Sequence, residues 1–165
     1  MRPFLLFRKN HRGFTLVEVL AVVSILAIVV AAFAPNLRAV YENYQAKTGA
    51  RQIASDLRYA QQMAILNNKE WKAEFDLNRS TYRLYELDAS KQPADPANPQ
   101  KYIERELEKG IIVEVALGTR NDLVYNPDGS VEANGRITVK SLGGDYRYKV
   151  VITPGTGRVR VERVQ

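Results

Sequence analysis

Cysteine is absent from the 165-residue chain, and histidine occurs once, at His11. Disulfides, thiolate nucleophiles and cysteine-based metal centres are thereby excluded, and a serine activated by histidine has almost no raw material. Repeats and low-complexity tracts are lacking too. With 45% hydrophobic and 25% charged residues the composition is that of an ordinary globular chain, which sets aside collagen-like, disordered and disulfide-scaffold classes. The length suits one domain plus an extension. Acids are missing from the first thirteen positions, where Arg2, Arg8, Lys9 and Arg12 gather. The formal net charge is +6, but from Phe14 onward 20 basic side chains face 18 acidic ones, a balance of +2. Within that stretch Arg136 to the C-terminus carries +5, leaving −3 between Phe14 and Gly135.

Phe14 to Ala34 is a run of 21 residues with one ionisable group, Glu18. As a helix rising about 1.5 Å per residue it reaches roughly 30 Å, enough to cross the hydrocarbon core of a bilayer. The basic residues before it predict a cytoplasmic N-terminal side, with the bulk of the chain across the membrane. Three readings compete for this start. Ala32-Phe33-Ala34 has the A-x-A form of a secretory cleavage site, but the apolar run exceeds the usual length of about 7 to 15 residues and Pro35 would follow the cut. A plain anchor leaves Glu18 alone among apolar residues, at a cost of roughly 2.5 to 3.5 kcal/mol on insertion scales.

The third reading gives that carboxylate a partner. The string Arg12-Gly13-Phe14-Thr15-Leu16-Val17-Glu18-Val19-Leu20 resembles the processing site of type IV prepilins and pseudopilins. The resemblance implies a prepilin peptidase that cuts after Gly13 and methylates the new N-terminal Phe14. Glu18 then becomes the fifth residue of the mature chain, one turn from the new ammonium and at the helix end where the dipole favours negative charge. In a bundle of such helices it pairs with a neighbour's terminal ammonium and fixes the register between subunits, the assembly role that the family implies. Ser24 is expected to satisfy itself on a carbonyl one turn back, and Pro35 to bend the helix or loosen its preceding turn.

Beyond Pro35 the apolar set Leu37, Val40, Tyr41, Tyr44, Ile53, Leu57, Ala60 and Ala64 recurs at spacings of three and four, which predicts an amphipathic helix ending near Asn67-Asn68. From Lys69 the period becomes two. Strands are expected at Trp71 to Phe75, Thr81 to Leu87, Tyr102 to Leu107, Ile111 to Leu117, Leu123 to Asn126, Arg136 to Ser141, Tyr146 to Ile152 and Arg158 to Val164. Ala89 to Gln100, with Pro93, Pro96 and Pro99, reads as a loop, and Pro127-Asp128-Gly129 as a tight turn. Ala54 to Asn67, Leu123 to Ser130, Gly135 to Val139 and Gly157 to Arg160, in that order behind a prepilin signal, resemble the GspH/FimT type of minor pseudopilins and minor pilins. The implied fold is α+β and type IV pilin-like, a long N-terminal helix packed on an antiparallel β domain of about seven or eight strands. Its expected parts are a leader at 1–13, a transmembrane and assembly helix at 14–35, an amphipathic helix at 36–68 and the β domain at 69–165.

Other candidate sites favour plain readings. Asn126, Asp128, Ser130 and Glu132 alternate around Gly129, but a calcium loop needs an acid where Val124 sits and a Glu where Gly135 stands, so a turn is expected. Glu104, Glu106 and Glu108 share one face of an extended strand and read as solvated. No general base with a positioned partner can be named, so neither catalysis, nor a cofactor, nor a metal is expected. The C-terminal basic cluster remains. A hairpin with Val150 opposite Val159 sets Arg147 against Glu162 but Lys149 against Arg160, an unfavourable like-charge pair that suggests an anionic partner. In fimbrial family members a Gly-Arg-x-Arg pattern is associated with DNA binding, and Gly157-Arg158-Val159-Arg160 fits it. Arg147, Lys149, Arg158 and Arg160 are the candidate DNA or anion contacts.

Two functions follow from the resemblance. The first is a structural minor pseudopilin of type II secretion, held in the inner membrane by a single pass with its C-terminal domain in the periplasm, and assembled with other pseudopilins into a fibre that drives protein export. The second is a minor pilin of a type IV pilus that binds DNA for transformation. The balance of only +2 beyond the leader, and the scarcity of aromatic residues along the basic strand apart from Tyr146 and Tyr148, favour secretion on sequence alone.

Overall fold

Thr15-Leu16-Val17-Glu18 carries the Thr-x-x-Glu pattern of a capped helix start, and α1 begins there, running Leu16–Asn67. The computed structural model describes residues 14–98, 100–117, 121–132 and 134–164, with the side chains of 33–36 also outside the description. The leader, Gly13 and the effect expected of Pro35 therefore lie outside the described residues. The Thr15 hydroxyl accepts the Glu18 backbone N–H at 3.2 Å, satisfying a donor that the helix cannot. The Ser24 hydroxyl donates to the Leu20 carbonyl at 2.8 Å, the back-bond expected. At the other end Asn68 turns into the left-handed region at φ 50°, and the Lys69 N–H donates to the Ala64 carbonyl at 3.2 Å.

The chain divides into two compact units, Met1–Arg38 and Ala39–Gln165. In the first, every described residue from Phe14 to Ala32 is exposed, and Leu16, at 78%, and Ile28, at 70%, meet no core. Among the described residues no single helix is long and apolar enough to cross a membrane, whereas Leu16–Ala32 and Leu37–Asn67 taken together pass that test of length and composition.

In the second unit, alternation of apolar and polar residues yields eight strands: β1 Trp71–Asp76, β2 Thr81–Glu86, β3 Tyr102–Glu106, β4 Ile111–Leu117, β5 Asp122–Tyr125, β6 Gly135–Ser141, β7 Arg147–Ile152 and β8 Val159–Val164. They form two antiparallel sheets of four, in the orders β3-β2-β1-β5 and β4-β6-β7-β8. Trp71, Ala73, Leu84 and Leu123 from the first sheet, and Ile137, Val139, Val150 and Ile152 from the second, are buried with one face of α1 in a single core.

That helical face differs in part from the expected one. Ile53, Leu57, Ala60 and Ala64 are buried, but Val40, Tyr41 and Tyr44 are more than 60% exposed, and Ala46, Ala50 and Ala54 take the core positions instead. At 100° per residue the centres of the two sets lie roughly 130° apart, about a third of a turn. Small side chains win because the second sheet runs close to the helix. A Cβ on Gly49 would stand 2.7 Å from the Ile111 side chain.

Candidate functional site

Glu18 sits in the first turn of α1, exposed, with Phe14 81% exposed before it. It is the one acidic residue of the apolar segment, placed at the end of the helix where the backbone dipole is positive. A carboxylate there, on a helix whose apolar surface has no internal partner among the described residues, is suited to meeting a cation presented by another chain.

The basic cluster assembles otherwise than the sequence suggested. In the β7–β8 hairpin Val150 faces Val161, Ile152 faces Val159, Lys149 faces Glu162, Val151 faces Arg160 and Arg147 faces Val164. The expected register is thus displaced by two residues, and the like-charge opposition of Lys149 and Arg160 does not exist. The reason lies in the connection. Thr153 N–H donates to the Arg158 carbonyl and Gly155 N–H to the Val131 carbonyl, so the loop is pinned to the segment after β5 and takes Gly157 and Arg158 out of the strand. Gly157, at φ 62°, lies where a Cβ would stand 2.3 Å from the Gly129 carbonyl oxygen.

Of the four candidate contacts, Arg158 and Arg160 come together, lining a cleft of ≈ 400 Å³ with Arg58 and Gln61. Arg147 and Lys149 do not join them. Arg147 donates to the Gly144 carbonyl at 3.2 Å, and Lys149 stands across from a carboxylate. Sequence reasoning missed Lys47, Arg51 and Arg58 on α1 and Arg163 on β8, which line an adjoining groove of ≈ 680 Å³ with Asn43, Tyr148 and Val161. The recurrence of 47, 51 and 58 at helical spacing is the signal that could have found them.

The remaining candidates are structural. At Asn126 to Ser130 the Asp128 carboxylate accepts the Ser130 N–H at 2.9 Å and the Gly129 N–H donates to the Asn126 carbonyl, so the segment is a turn. The Ser130 hydroxyl and then its N–H hold Asp128 below the usual carboxylate range. Glu104 and Glu106 are exposed on the edge strand β3, and Glu108 is exposed beyond it. Tyr82, by contrast, is buried and donates to Asp56 at 2.6 Å. Burial first, and that carboxylate second, push its hydroxyl far above the ordinary value.

A long helix with an exposed apolar start, a first-turn carboxylate and a second half packed on antiparallel sheets defines a type IV pilin-like subunit. The family model described as type II transport protein GspH matches residues 49–156, and the prokaryotic N-terminal methylation motif matches residues 8–34. The chain belongs to the GspH family. The motif implies processing by a prepilin peptidase and assembly among pilins or pseudopilins. Competence protein ComGD of Bacillus subtilis (strain 168) is 32% identical over 154 residues, covering 93% of this chain and 95% of that protein. Among solved structures, the minor pseudopilin EpsH of the type 2 secretion system of Vibrio cholerae superposes with TM-score 0.59 at 20% identity, over 72% of this chain and 97% of that one. The type IV minor pilin FimU of Pseudomonas aeruginosa gives 0.60 at 14% identity, over 75% and 96%. These likenesses establish the fold.

Proposed function

We propose that the protein is a non-catalytic minor subunit of a pilin-like fibre, anchored in the cell membrane with its β domain outside the cytoplasm, cut after Gly13, methylated on Phe14 and assembled through α1. The observation that carries this reading is the apolar surface of Leu16–Ala32, bare along its length and bearing one carboxylate, Glu18, at its start. Such a surface must be covered by lipid before assembly and by other helices after it. The Glu18 carboxylate then pairs with the terminal ammonium of a neighbour.

The work of the fibre is read as DNA uptake. A relative matched along nearly the whole of both chains is a competence protein, and six cations of this chain line two adjoining grooves that share Arg58. A net balance of +2 is blind to that placement. Protein export by a type II secretion pseudopilus is the second reading, supported by the description of the family model.

The test is Glu18→Ala in the native host. Cutting and membrane insertion are expected to persist while the amount in sheared fibres falls at least about tenfold, because an unpaired buried ammonium costs several kcal/mol. Transformation is expected to fall in parallel, with export unchanged. Normal incorporation would leave Glu18 without an assembly role, and loss of export with normal transformation would select the second reading.

A further inference from the structure

We infer that the groove between α1 and the edge strand β8 binds a phosphodiester backbone through Lys47, Arg51, Arg58 and Arg163. For the identity of the ligand, nucleic acid, the inference rests on the DNA-uptake reading. For the place it rests on geometry alone. Lys47, Arg51 and Arg58 are exposed, and at 100° per residue they fall within about 40° of one another around the helix, over roughly 16 Å of its length. Arg163 approaches from β8, on the strand face that also carries Val161, and the groove between them holds ≈ 680 Å³.

None of the four has a carboxylate within ion-pair distance among the described residues, whereas Lys72, Arg83, Lys101 and Lys140 each do. Arg58 is fixed in place, since its guanidinium donates to the Val159 carbonyl at 3.0 Å and so ties helix to strand. It also lines the neighbouring cleft with Arg158 and Arg160, which extends the row to six cations along one edge of the molecule. Gathered like charge repels itself, and a polyanion lying along the edge relieves that repulsion.

The kind of polyanion follows from what else lines the groove. Asn43 is already engaged, accepting the Tyr148 hydroxyl at 2.7 Å, Tyr148 itself is buried, and Val161 is half-buried. An acidic peptide gains selectivity from apolar contacts for the side chains between its acids, and apart from Val161 and the Tyr148 ring this lining is polar or cationic. A backbone with one charge per repeat needs only a row of cations. One strand of a DNA duplex presents a phosphate about every 3.4 Å along its axis, so a row of roughly 16 Å faces four or five of them. Sequence readout is not expected from such contacts.

The test uses the mature chain from Phe14 onward in a zwitterionic detergent, titrated with a labelled mixed-sequence DNA duplex and, separately, with labelled polyglutamate, from about 50 to about 300 mM salt. The expected slope of log affinity against log salt is about −3 to −4, from roughly −0.9 per phosphate neutralised. Lys47→Gln/Arg51→Gln/Arg163→Gln should weaken DNA binding at least about 30-fold near 150 mM salt and flatten the slope by nearly 3, while Arg147→Gln/Lys149→Gln on the other face of the hairpin stays within about twofold. Lys47→Arg/Arg51→Lys/Arg163→Lys should keep the binding. Should the glutamine variant unfold, Arg51→Glu alone is expected to give a smaller loss with the same sign. Equal loss in the Arg147/Lys149 variant would overturn the groove and leave the DNA-uptake reading standing. Polyglutamate bound as tightly as DNA would make the ligand an acidic protein. Absence of DNA binding by the unmodified chain at the lowest salt would remove both the inference and the reading it rests on.

Discussion

Gly157 decides where two strands meet. Its φ of 62° is comfortable only without a side chain, and the Gly129 carbonyl and the Gln61 amide, which donates to the Gly129 carbonyl at 2.8 Å and to the Thr156 carbonyl at 2.9 Å, fill the space a Cβ would take. Gly157→Ala should therefore cost about 2 to 4 kcal/mol, combining left-handed strain with a clash against backbone. Gly144 supplies the control. It has φ 79° but nothing within 4 Å of its Cβ position, so Gly144→Ala should cost only about 1 kcal/mol. Denaturant unfolding of the two variants reads the difference. Equal losses would mean that backbone conformation, and not the close approach to Gly129, makes glycine necessary at 157.

At the scale of elements, the β7–β8 pairing makes a prediction of opposite sign in the two registers. With Lys149 across from Glu162, Lys149→Glu sets two carboxylates opposite each other and should destabilise the protein by about 0.2 to 1 kcal/mol. With Lys149 across from Arg160, the same change would create an ion pair and stabilise it. A lowered melting temperature supports the observed pairing, and a raised one contradicts it. The strands themselves were legible in the sequence, since Trp71, Ala73 and Phe75 or Ile137 and Val139 alternate with polar residues and land buried. Their register was not, because loop length is set by Gly157 against Gly129 and Gly155 against Val131, contacts between segments distant in sequence. The helix shows the same division. Its extent and its end at Asn67 could be read, but large apolar residues at 40, 41 and 44 outweighed the alanines that the sheet actually covers. The basic site was half legible. Arg158 and Arg160 stood out beside a glycine, while Lys47, Arg51 and Arg58 looked like an ordinary solvated helix face until β8 was seen beside them.

At the scale of the whole molecule the two units divide the labour. Residues of the first offer an apolar surface with no internal partner among the described residues, and the second folds around its own core and keeps its cations outside it. Family membership and the methylation motif join these into the life of a pilin-like subunit, made as a precursor and matured before assembly. The proposed cut after Gly13 would set where the mature chain begins, put a charged amine one turn from Glu18, and make the exposed helix an assembly surface instead of a simple anchor. The most direct measurement is therefore the intact mass of the protein recovered from sheared fibres of the native host. The expected chain lacks Met1 to Gly13 and carries one added methyl group on Phe14. A chain retaining those thirteen residues, or one beginning at Pro35, would contradict it.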